Sequence, residues 1–532
     1  MDMVCRRFII IVVFIFIWGD LWSQFESKLD SSLSICGTDS NYIQYDQNLS
    51  GFFEALDFLK EGKIDKVNIL HIGDSHIQGD YLSRTVRFRF QKEFGEGGRG
   101  MVFPYSLLNM YGPVDYKCIS NVVWDNDRIF PREKKFPVGL VGYALSTSNP
   151  LMSTRIDLTE PPRSTWGALT NFNSYPTNEF DLVKLLYSND SNDLPLRISA
   201  IDKNNKLGFS AQLPQFNGSF KCGFQVAPVF LGDSYKSIYF EADTSRKFTE
   251  SVQLYGLIFE NSKSKGIVYH MAGVGACQLN NFLKSTHFIN QSIAIQPNLI
   301  IISLGANESV SPGWDTILYV KKYIDLIQVF KKEIPGVSIL LTTPPDILYK
   351  NKLPVWLYPL RRAIFKVASS TNCAVWDLHR VMGGERSNYI WSLCKYAGSD
   401  RIHFTPKGYD FQGLLLTEAF FKSYNKTYKF KADTIDLKVD LMEYRTVLTK
   451  SYLEVIYKNS APKSMDSTVV SPQVPKFQQP FISSTPKYHI VKRGESIYSI
   501  SRKFDLNFKK VLKINGLTEI SLIHPGQRIK LR

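Results

Sequence analysis

Apolar runs of strand length alternate with helix-length amphipathic stretches along two parts of the chain. A run such as 299–304, Leu-Ile-Ile-Ile-Ser-Leu, is apolar at nearly every position, which is typical of a parallel strand buried on both faces. The strand-like runs are 67–72, 266–271, 299–304, 337–342 and 373–378, and the helical stretches are 52–59, 81–94, 278–294, 314–332, 353–370 and 406–424. This rhythm predicts an α/β fold with a doubly wound, flavodoxin-like parallel sheet, divided between residues 51–108 and 266–430.

Residues 109–265, between these two parts, follow a different pattern. Short β-favouring runs at 182–187, 194–201, 237–241 and 252–259 alternate with turns rich in Asn, Asp, Gly, Ser and Pro. Short strands with frequent turn signals are typical of a β-sandwich. We therefore expect a β-rich domain inserted into the α/β domain.

The C-terminal part of the chain contains a linker and a further small domain. Residues 436–457 predict one more helix, and residues 458–487 are rich in Ser, Pro, Gln and Val, with five prolines between positions 462 and 486. Such a composition cannot bury a core and predicts an extended linker. Residues 488–532 predict a compact terminal domain.

The N-terminus predicts export. Arg6 and Arg7 precede an apolar run at 8–18, and small or polar residues follow, so residues 1–24 have the pattern of a signal peptide. The run is too short for a comfortable membrane span, although an uncleaved anchor stays open as an alternative. We expect a periplasmic, cell-surface or secreted protein without a stable membrane span once the signal is removed.

Charge and cysteine content narrow the partners. The formal net charge of +15 suits a polyanion such as nucleic acid, an anionic membrane or a cell-wall polymer, or else serves solubility alone. Export makes nucleic acid an unsuitable partner. Six cysteines follow the signal peptide and permit disulfides, with Cys373 and Cys394 as the first pair to test, but buried free thiols are an equal alternative.

The candidate nucleophile follows the first strand of the sheet. Strand 67–72 stops at Gly73, and the turn delivers Asp74 and Ser75 to the start of a helix, at the edge of the sheet where such folds bind ligands. Ser75 is therefore the candidate nucleophile. The same tripeptide recurs at 232–234 inside the insert, where Gly, Asp and Ser are ordinary hairpin residues.

Nucleophilic serine chemistry also needs a base and a group that orients the base. Asp400 and His403 lie in one short segment after the last strand and before the last helix. This spacing lets the carboxylate reach one ring nitrogen of His403 while the other nitrogen faces Ser75.

Donors for an oxyanion come from two further strand ends. Gly273 and Gly275 follow one strand, and Asn307 follows the next, so that backbone and side-chain N–H groups lie at the same edge of the sheet. The sequence leaves open which of the two glycines is the donor.

These blocks, in this order, resemble those of the SGNH (GDSL-type) esterases. The matching residues are Gly73-Asp74-Ser75, Gly275, Gly305-Ala306-Asn307 and Asp400-Arg401-Ile402-His403. The resemblance implies catalysis by Ser75, His403 and Asp400, an oxyanion hole made by Ser75, Gly275 and Asn307, a supporting role for Asp74, and no metal or cofactor. His76 replaces the usual Leu, and Glu308 replaces the usual Asp, but neither departure removes a catalytic atom.

One branch of this family, the peptidoglycan O-acetylesterases, matches best. His76, the glycine cluster at 95–100 and the β-rich insert carry the resemblance, and in that branch the insert resembles a carbohydrate-binding β-sandwich. The glycine cluster lacks the Gly-Lys-Ser/Thr ending of a phosphate loop and is interpreted as a turn. The branch implies an exported serine esterase that removes O-acetyl groups from peptidoglycan.

The terminal domain resembles a LysM module. The matching features are the strand at 488–491, Gly494-Glu495-Ser496 at a helix start, and the turns Asn515-Gly516 and Pro525-Gly526. The resemblance implies binding to an N-acetylglucosamine-containing glycan, here peptidoglycan.

Three alternatives stay open. The chain could bind peptidoglycan without catalysis, or it could hydrolyse another acetylated polysaccharide or a lipid. It could also be a two-metal phosphoesterase that uses residues such as Asp74, His76 and Glu308, but the Gly-Asp-x-x-Asp block and the histidine cluster of such enzymes are missing.

Overall fold

The structure is a computed structural model of the chain. It describes residues 40–129, 134–160, 177–189, 196–213, 223–244, 251–393, 395–434 and, with short gaps, 487–531. The predicted signal peptide at 1–24, the predicted helix at 436–457 and the linker at 458–487, apart from its last residue, lie outside the described residues.

The strands fall into a central sheet, an inserted pair of sheets and a small C-terminal pair. They are β1 (Ile43–Gln44), β2 (Lys66–Gly73), β3 (Glu96–Gly98), β4 (Gly100–Val102), β5 (Tyr116–Ser120), β6 (Asp125–Arg128), β7 (Tyr143–Thr147), β8 (Ser153–Leu158), β9 (Phe180–Asn189), β10 (Leu196–Ile201), β11 (Leu207–Gln212), β12 (Gln225–Tyr235), β13 (Ser237–Ala242), β14 (Val252–Glu260), β15 (Gly266–Gly273), β16 (Leu299–Ser303), β17 (Ser338–Thr342), β18 (Ala374–Trp376), β19 (Tyr488–Ile490) and β20 (Arg528–Lys530).

Most helices follow strands of the central sheet. They are α1 (Ser50–Lys60), α2 (Ser75–Gln78), α3 (Tyr81–Phe94), α4 (Leu279–Phe282), α5 (Phe288–Ala294), α6 (Ala306–Ser309), α7 (Thr316–Glu333), α8 (Leu357–Thr371), α9 (Leu378–Val381), α10 (Ser387–Leu393), α11 (Pro406–Thr427) and α12 (Phe508–Ile514), and short 3-10 helices span Asp46–Leu49 and Tyr105–Leu108.

The central sheet has the strand order β1, β18, β17, β16, β2, β15, β3. All neighbouring pairs are parallel except β1 with β18 at one edge. Every residue of β2 from Ile69 to Gly73 is buried, as a strand covered on both faces requires. The predicted mixed α/β fold with a parallel sheet is confirmed.

Two antiparallel sheets make up the inserted part. Their strand orders are β11, β10, β13, β8, β5 and β12, β9, β14, β7, β6, and β4 also pairs with β14. Alternate residues of β13 are buried, with Ile238, Phe240 and Ala242 facing the core and Ser237, Tyr239 and Glu241 half-exposed. This period of two is the pattern of a sheet with one face in a core.

The helix predicted at 278–294 is wrong in one respect, because the structure divides it into α4 and α5. The Ser285 hydroxyl donates to the carbonyl oxygens of Val138 and Gly139, and the His287 N–H donates to that of Val138. These bonds to the insert replace the hydrogen bonds that a continuous helix would make across this segment.

The glycine cluster at 95–100 is more than the predicted turn, because it contains β3 and the start of β4. A Cβ atom at Gly97 would lie 2.7 Å from the Gly266 carbonyl oxygen, and one at Gly100, where φ is +82°, would lie 2.1 Å from that of Tyr269. Glycines therefore allow the chain to pair closely with β15 on its way into the insert.

Cys118, Cys277 and Cys373 are buried free thiols. The alternative of buried thiols therefore holds for Cys373, and Cys394, its predicted disulfide partner, lies outside the described residues.

The C-terminal region has a core of its own. Strands β19 and β20 pair antiparallel, and helix α12 follows β19 in the chain. The buried residues of this core are Val491, Ile497, Ile500, Val511, Leu512, Ile529 and Leu531. Within the described part of the chain, no helix has the length and apolarity needed to cross a membrane.

Candidate active site

Ser75 is the first residue of helix α2, and a single residue, Asp74, separates it from the end of β2. The Asp74 carboxylate caps this helix by accepting a hydrogen bond of 3.0 Å from the His76 N–H. A Cβ atom at Gly73 would lie 2.2 Å from Ile77 Cγ1 and 3.1 Å from the Ser303 carbonyl oxygen. Glycine at this position thus lets the helix start tightly against β2 and β16, which holds Ser75 in a fixed place.

Ser75, His403 and Asp400 form a continuous chain of hydrogen bonds. Ser75 Oγ lies 2.9 Å from His403 Nε2, and His403 Nδ1 lies 2.7 Å from Asp400 Oδ2. An ionised carboxylate can only accept, so Nδ1 carries the proton and Nε2 is left to accept from the serine hydroxyl. This is the tautomer that a general base needs.

The second oxygen of Asp400 fixes the carboxylate in place. Asp400 Oδ1 accepts from the backbone N–H groups of Ile402 and His403, both at 3.0 Å. Partial burial raises the pKa of Asp400, but the hydrogen bonds from the His403 ring and these two N–H groups outweigh it, and the pKa lies below its usual value. Asp400 therefore stays ionised beside His403.

The structure separates the two candidate oxyanion glycines. Gly273 is the last residue of β15 and pairs with Gly73, whereas Gly275 lies on the wall of the cavity that contains Ser75 and His403. Gly275 is thus the one placed to meet a ligand. Its N–H donates to the side-chain oxygen of Gln78, an acceptor that the sequence did not predict.

Asn307 lines the same cavity from helix α6. Its side-chain nitrogen donates to the Cys277 carbonyl oxygen at 3.0 Å and makes a longer contact of 3.4 Å with Asp74 Oδ2. The predicted oxyanion residues are therefore brought together, but the N–H groups of Gly275 and Asn307 are engaged by protein acceptors.

Asp74 and Glu308 are buried carboxyl groups in the segments that also carry Ser75 and Asn307. Burial raises the pKa values of Asp74 and Glu308 to about 7 each. Glu308 Oε1 accepts a hydrogen bond of 2.8 Å from the Leu279 N–H. This bond connects the segment after β15 to the segment after β16. Among the described residues, no three His, Cys, Asp or Glu side chains gather closely enough to hold a metal ion.

His76 packs against His403. The ring centroids of His76 and His403 are 5.4 Å apart, and His76 Nδ1 lies 3.0 Å from the Tyr409 hydroxyl. Burial lowers the pKa of His76 to about 3, so His76 is neutral and adds no charge beside His403. Tyr409 was not predicted from the sequence, where it is one of several apolar positions on α11.

The cavity over Ser75 has a volume of about 600 Å³. Its lining includes Met110, Tyr111, Val310, Ile347, Tyr349 and Ile402. Tyr111 and Tyr349 keep 55% and 41% of their surface exposed. Two different segments of the chain therefore offer exposed aromatic surface to a ligand in this cavity. No local pattern marks these tyrosines in the sequence, since both lie in irregular segments.

The second Gly-Asp-Ser tripeptide lies away from this site. Ser234 is an exposed residue of β12 in the inserted sheets, and it does not line the cavity. The prediction that these three residues form a hairpin turn is wrong, because they lie within β12, where its pairing with β9 shifts register between Phe230 and Tyr235.

Two family models match the chain. A GDSL-like lipase/acylhydrolase model matches residues 230–411, and a LysM domain model matches residues 489–532. The chain contains a GDSL-like acylhydrolase domain and a LysM domain. The predicted SGNH-type ester hydrolase with a C-terminal LysM module is therefore confirmed.

The range matched by the acylhydrolase model includes Gly275, Asn307, Asp400 and His403 but not Ser75. It begins two residues before the second Gly-Asp-Ser. Only the first tripeptide, however, has its serine within hydrogen-bond distance of His403, and the roles of the site residues stay a proposal.

One solved structure shares the fold over most of its length, and several others are similar to parts of the chain. A peptidoglycan O-acetylesterase is 21% identical, with a TM-score of 0.56 over 71% of this chain and 97% of that chain. A lipase/acylhydrolase from Enterococcus faecalis is 20% identical, with a TM-score of 0.25 over 32% of this chain and 81% of that chain. A family two carbohydrate esterase from Cellvibrio japonicus is 11% identical, with a TM-score of 0.24 over 58% of this chain and 99% of that chain. A comparison with curated protein sequences found no match.

Proposed function

We propose that this protein is an exported serine esterase that removes O-acetyl groups from peptidoglycan. The observation that carries the proposal is the hydrogen-bonded series from Ser75 Oγ through His403 to Asp400 at the base of an open cavity. Such a series is the arrangement by which a serine hydroxyl becomes a nucleophile at neutral pH.

The first half of the reaction forms an acetyl-enzyme. Ser75 Oγ attacks the carbonyl carbon of the acetyl ester, and His403 Nε2 takes the hydroxyl proton. The tetrahedral intermediate collapses when His403 returns this proton to the sugar oxygen, which leaves as an alcohol while the acetyl group stays on Ser75. Asp400 stabilises the imidazolium that exists between these two steps.

The second half releases acetate. Water takes the place of the sugar alcohol and gives a proton to His403 as it attacks the acetyl carbonyl. The second tetrahedral intermediate then collapses, the bond between Ser75 Oγ and the acyl carbon breaks, and His403 returns its proton to Ser75 Oγ as acetate leaves. In both halves the N–H groups of Ser75 and Gly275 and the Asn307 amide would stabilise the oxyanion, each contributing about 3 kcal/mol.

The substrate follows from three features. The cavity is far larger than an acetyl group, and its lining includes the exposed Tyr111 and Tyr349, whose rings suit the apolar faces of sugars. The LysM domain supplies an attachment to glycan that contains N-acetylglucosamine. The solved structure that shares the fold over 97% of its length is a peptidoglycan O-acetylesterase.

Export rests on the N-terminal sequence. Arg6 and Arg7 before the apolar run at 8–18 favour secretion, and peptidoglycan lies outside the cytoplasmic membrane. The net charge of +15 also favours association with an anionic wall.

The test is acetate release from O-acetylated peptidoglycan by the chain without residues 1–24. Wild-type protein and the matched control Ser234→Ala are expected to release acetate, and Ser75→Ala is expected to be slower by at least about 10³-fold. Full activity of Ser75→Ala would refute the proposed mechanism. Release from acetylated xylan or a long-chain ester, but not from peptidoglycan, would assign the substrate to another polysaccharide or to lipid.

A further inference from the structure

The Gln78 side chain connects the oxyanion loop to the cavity lining at Tyr111. Its oxygen accepts the Gly275 N–H, and its nitrogen donates to the Tyr111 carbonyl oxygen at 2.6 Å. Gln78 lines the cavity but is only 4% exposed. Both ends of the amide are therefore held, in the orientation that matches one donor and one acceptor.

This arrangement competes with catalysis. A backbone N–H has one proton, and the Gly275 proton is directed at the Gln78 side-chain oxygen. An oxyanion that used this N–H would have to displace the Gln78 oxygen, or share the proton with it at a cost in strength.

We propose that Gln78 is a gate on the oxyanion hole: it occupies the Gly275 N–H in the free enzyme and is displaced by the carbonyl oxygen of a productively bound acetyl glycan. The proposal rests on the function proposed above, in which Gly275 is an oxyanion donor. Gln78 is a positioning residue, since it acts through the Gly275 N–H and does not itself react.

The hydrogen bond from the Gln78 side chain to the Tyr111 carbonyl oxygen explains why the gate would favour glycan esters. Tyr111 keeps 55% of its surface exposed, while its ring stacks on Tyr81 with centroids 6.3 Å apart. The Tyr111 ring also packs closely on the backbone of Gly79, where a Cβ atom would lie 2.1 Å from the Tyr111 hydroxyl oxygen. A sugar ring that stacks on Tyr111 therefore contacts the same residue whose backbone carbonyl oxygen accepts the hydrogen bond from Gln78.

Ligand size then decides how easily the gate opens. An acetylated glycan can contact Tyr111 and Ser75 together, so that binding energy from the sugar helps to displace Gln78. A small acetyl ester reaches only Ser75 and must displace the Gln78 oxygen without that help. The gate therefore selects against small esters.

Kinetics of Gln78→Ala test the gate. The variant removes the competing oxygen and is expected to raise kcat/KM for p-nitrophenyl acetate about fivefold, the equivalent of one net hydrogen bond of about 1 kcal/mol. Acetate release from O-acetylated peptidoglycan is expected to stay equal or fall, so that the preference for glycan over the small ester decreases. A merely structural role of Gln78 would lower both rates.

Gln78→Glu is the matched variant. Its ionised carboxylate is a stronger acceptor for the Gly275 N–H and cannot donate to the Tyr111 carbonyl. We expect kcat/KM for p-nitrophenyl acetate to fall below the wild-type value, and the ratio of the variant to wild type at the same pH to rise as the pH is lowered through the pKa of the new carboxyl group. Thermal unfolding of both variants verifies that they fold.

Two results would overturn the gate. One is a Gln78→Ala variant whose kcat/KM for p-nitrophenyl acetate is unchanged or lowered, and the other is a structure of the Ser75 phosphonate adduct in which the Gln78 oxygen still accepts the Gly275 N–H. If only the proposed function is wrong, the results differ. Peptidoglycan then releases no acetate, but Ser75-dependent hydrolysis of p-nitrophenyl acetate continues and is still faster in Gln78→Ala than in wild type. Absence of Ser75-dependent hydrolysis of either substrate would overturn both proposals.

Discussion

Ser75 Oγ lies 2.9 Å from His403 Nε2, although 328 positions separate the two residues in the chain. The parallel sheet explains this proximity, because β2 delivers Ser75 to the edge of the sheet that the segment before α11 also approaches. A second contact, from His76 to the Tyr409 hydroxyl, joins α2 directly to α11. The placement of the base relative to the nucleophile therefore depends on buried contacts beside the reacting atoms.

The contact between His76 and Tyr409 should contribute to stability. Both residues are buried, so His76→Leu and Tyr409→Phe each leave a polar atom without this partner, at an expected cost of about 1–3 kcal/mol in the free energy of unfolding. Chemical denaturation of the single and double variants measures the coupling. We expect the double variant to lose about 0.5–1.5 kcal/mol less than the sum of the single losses, and strictly additive losses would show that the contact contributes nothing.

Asp400→Asn should lower kcat by roughly 10²–10⁴-fold with little change in KM. An asparagine amide donates to His403 Nδ1, which moves the ring proton to Nε2 and removes the acceptor for the Ser75 hydroxyl. Steady-state kinetics with p-nitrophenyl acetate measure the effect. Asp233→Asn, in the second Gly-Asp-Ser, is the matched control and should keep wild-type kcat; equal losses in the two variants would contradict the assignment.

Glu308→Gln should stabilise the protein in a pH-dependent way. Burial raises the pKa of Glu308 from 4.5 to about 7, so between these values the unfolded chain releases a proton that the folded chain retains. Glu308 therefore makes the folded state less stable as the pH rises through this window, and its contribution levels off above pH 7. A glutamine side chain does not titrate in this pH range, so the Glu308→Gln variant lacks this loss of stability.

Thermal unfolding of wild type and Glu308→Gln at pH 4.5, 6 and 8 measures this difference. The advantage of the variant is expected to grow with pH, by about 3 kcal/mol over the whole window. An advantage that is constant with pH, or that shrinks as the pH rises, would mean that Glu308 is ionised in the folded protein throughout.

The LysM domain should hold the enzyme on its substrate without affecting the chemistry. The core of this domain and the core of the preceding residues are separate clusters. A chain ending at residue 487 is therefore expected to hydrolyse p-nitrophenyl acetate at the wild-type rate but to lose sedimentation with purified sacculi. Sedimentation that survives the truncation would place the main glycan contact elsewhere in the chain.

Much of the sheet could be predicted because its strands carry their own signal. The continuous apolar run at 299–304 became β16 with a difference of one residue, and helix α3 occupies the predicted 81–94. In these elements the spacing of apolar residues follows the repeat of the strand or helix itself, so a short stretch of sequence is enough to identify the element. The turn after β2 could be predicted for the same reason.

The polar contacts that divide α4 from α5 and that hold the Gln78 side chain could not be predicted. The break between α4 and α5 depends on Ser285 bonding to carbonyl groups of the insert, and no pattern within 278–294 indicates those partners. The Gln78 contacts to Gly275 and Tyr111 are likewise long-range. A polar residue one turn after the nucleophile has many possible roles, and only its neighbours in space select one.

The most direct test of the central claim is the identity of the serine that a fluorophosphonate modifies. Peptide mass spectrometry of the inactivated protein should find one adduct, on Ser75, formed in proportion to the loss of acetyl-ester hydrolysis, and no adduct on Ser234. Modification of Ser234, or inactivation that leaves Ser75 unmodified, would contradict the account.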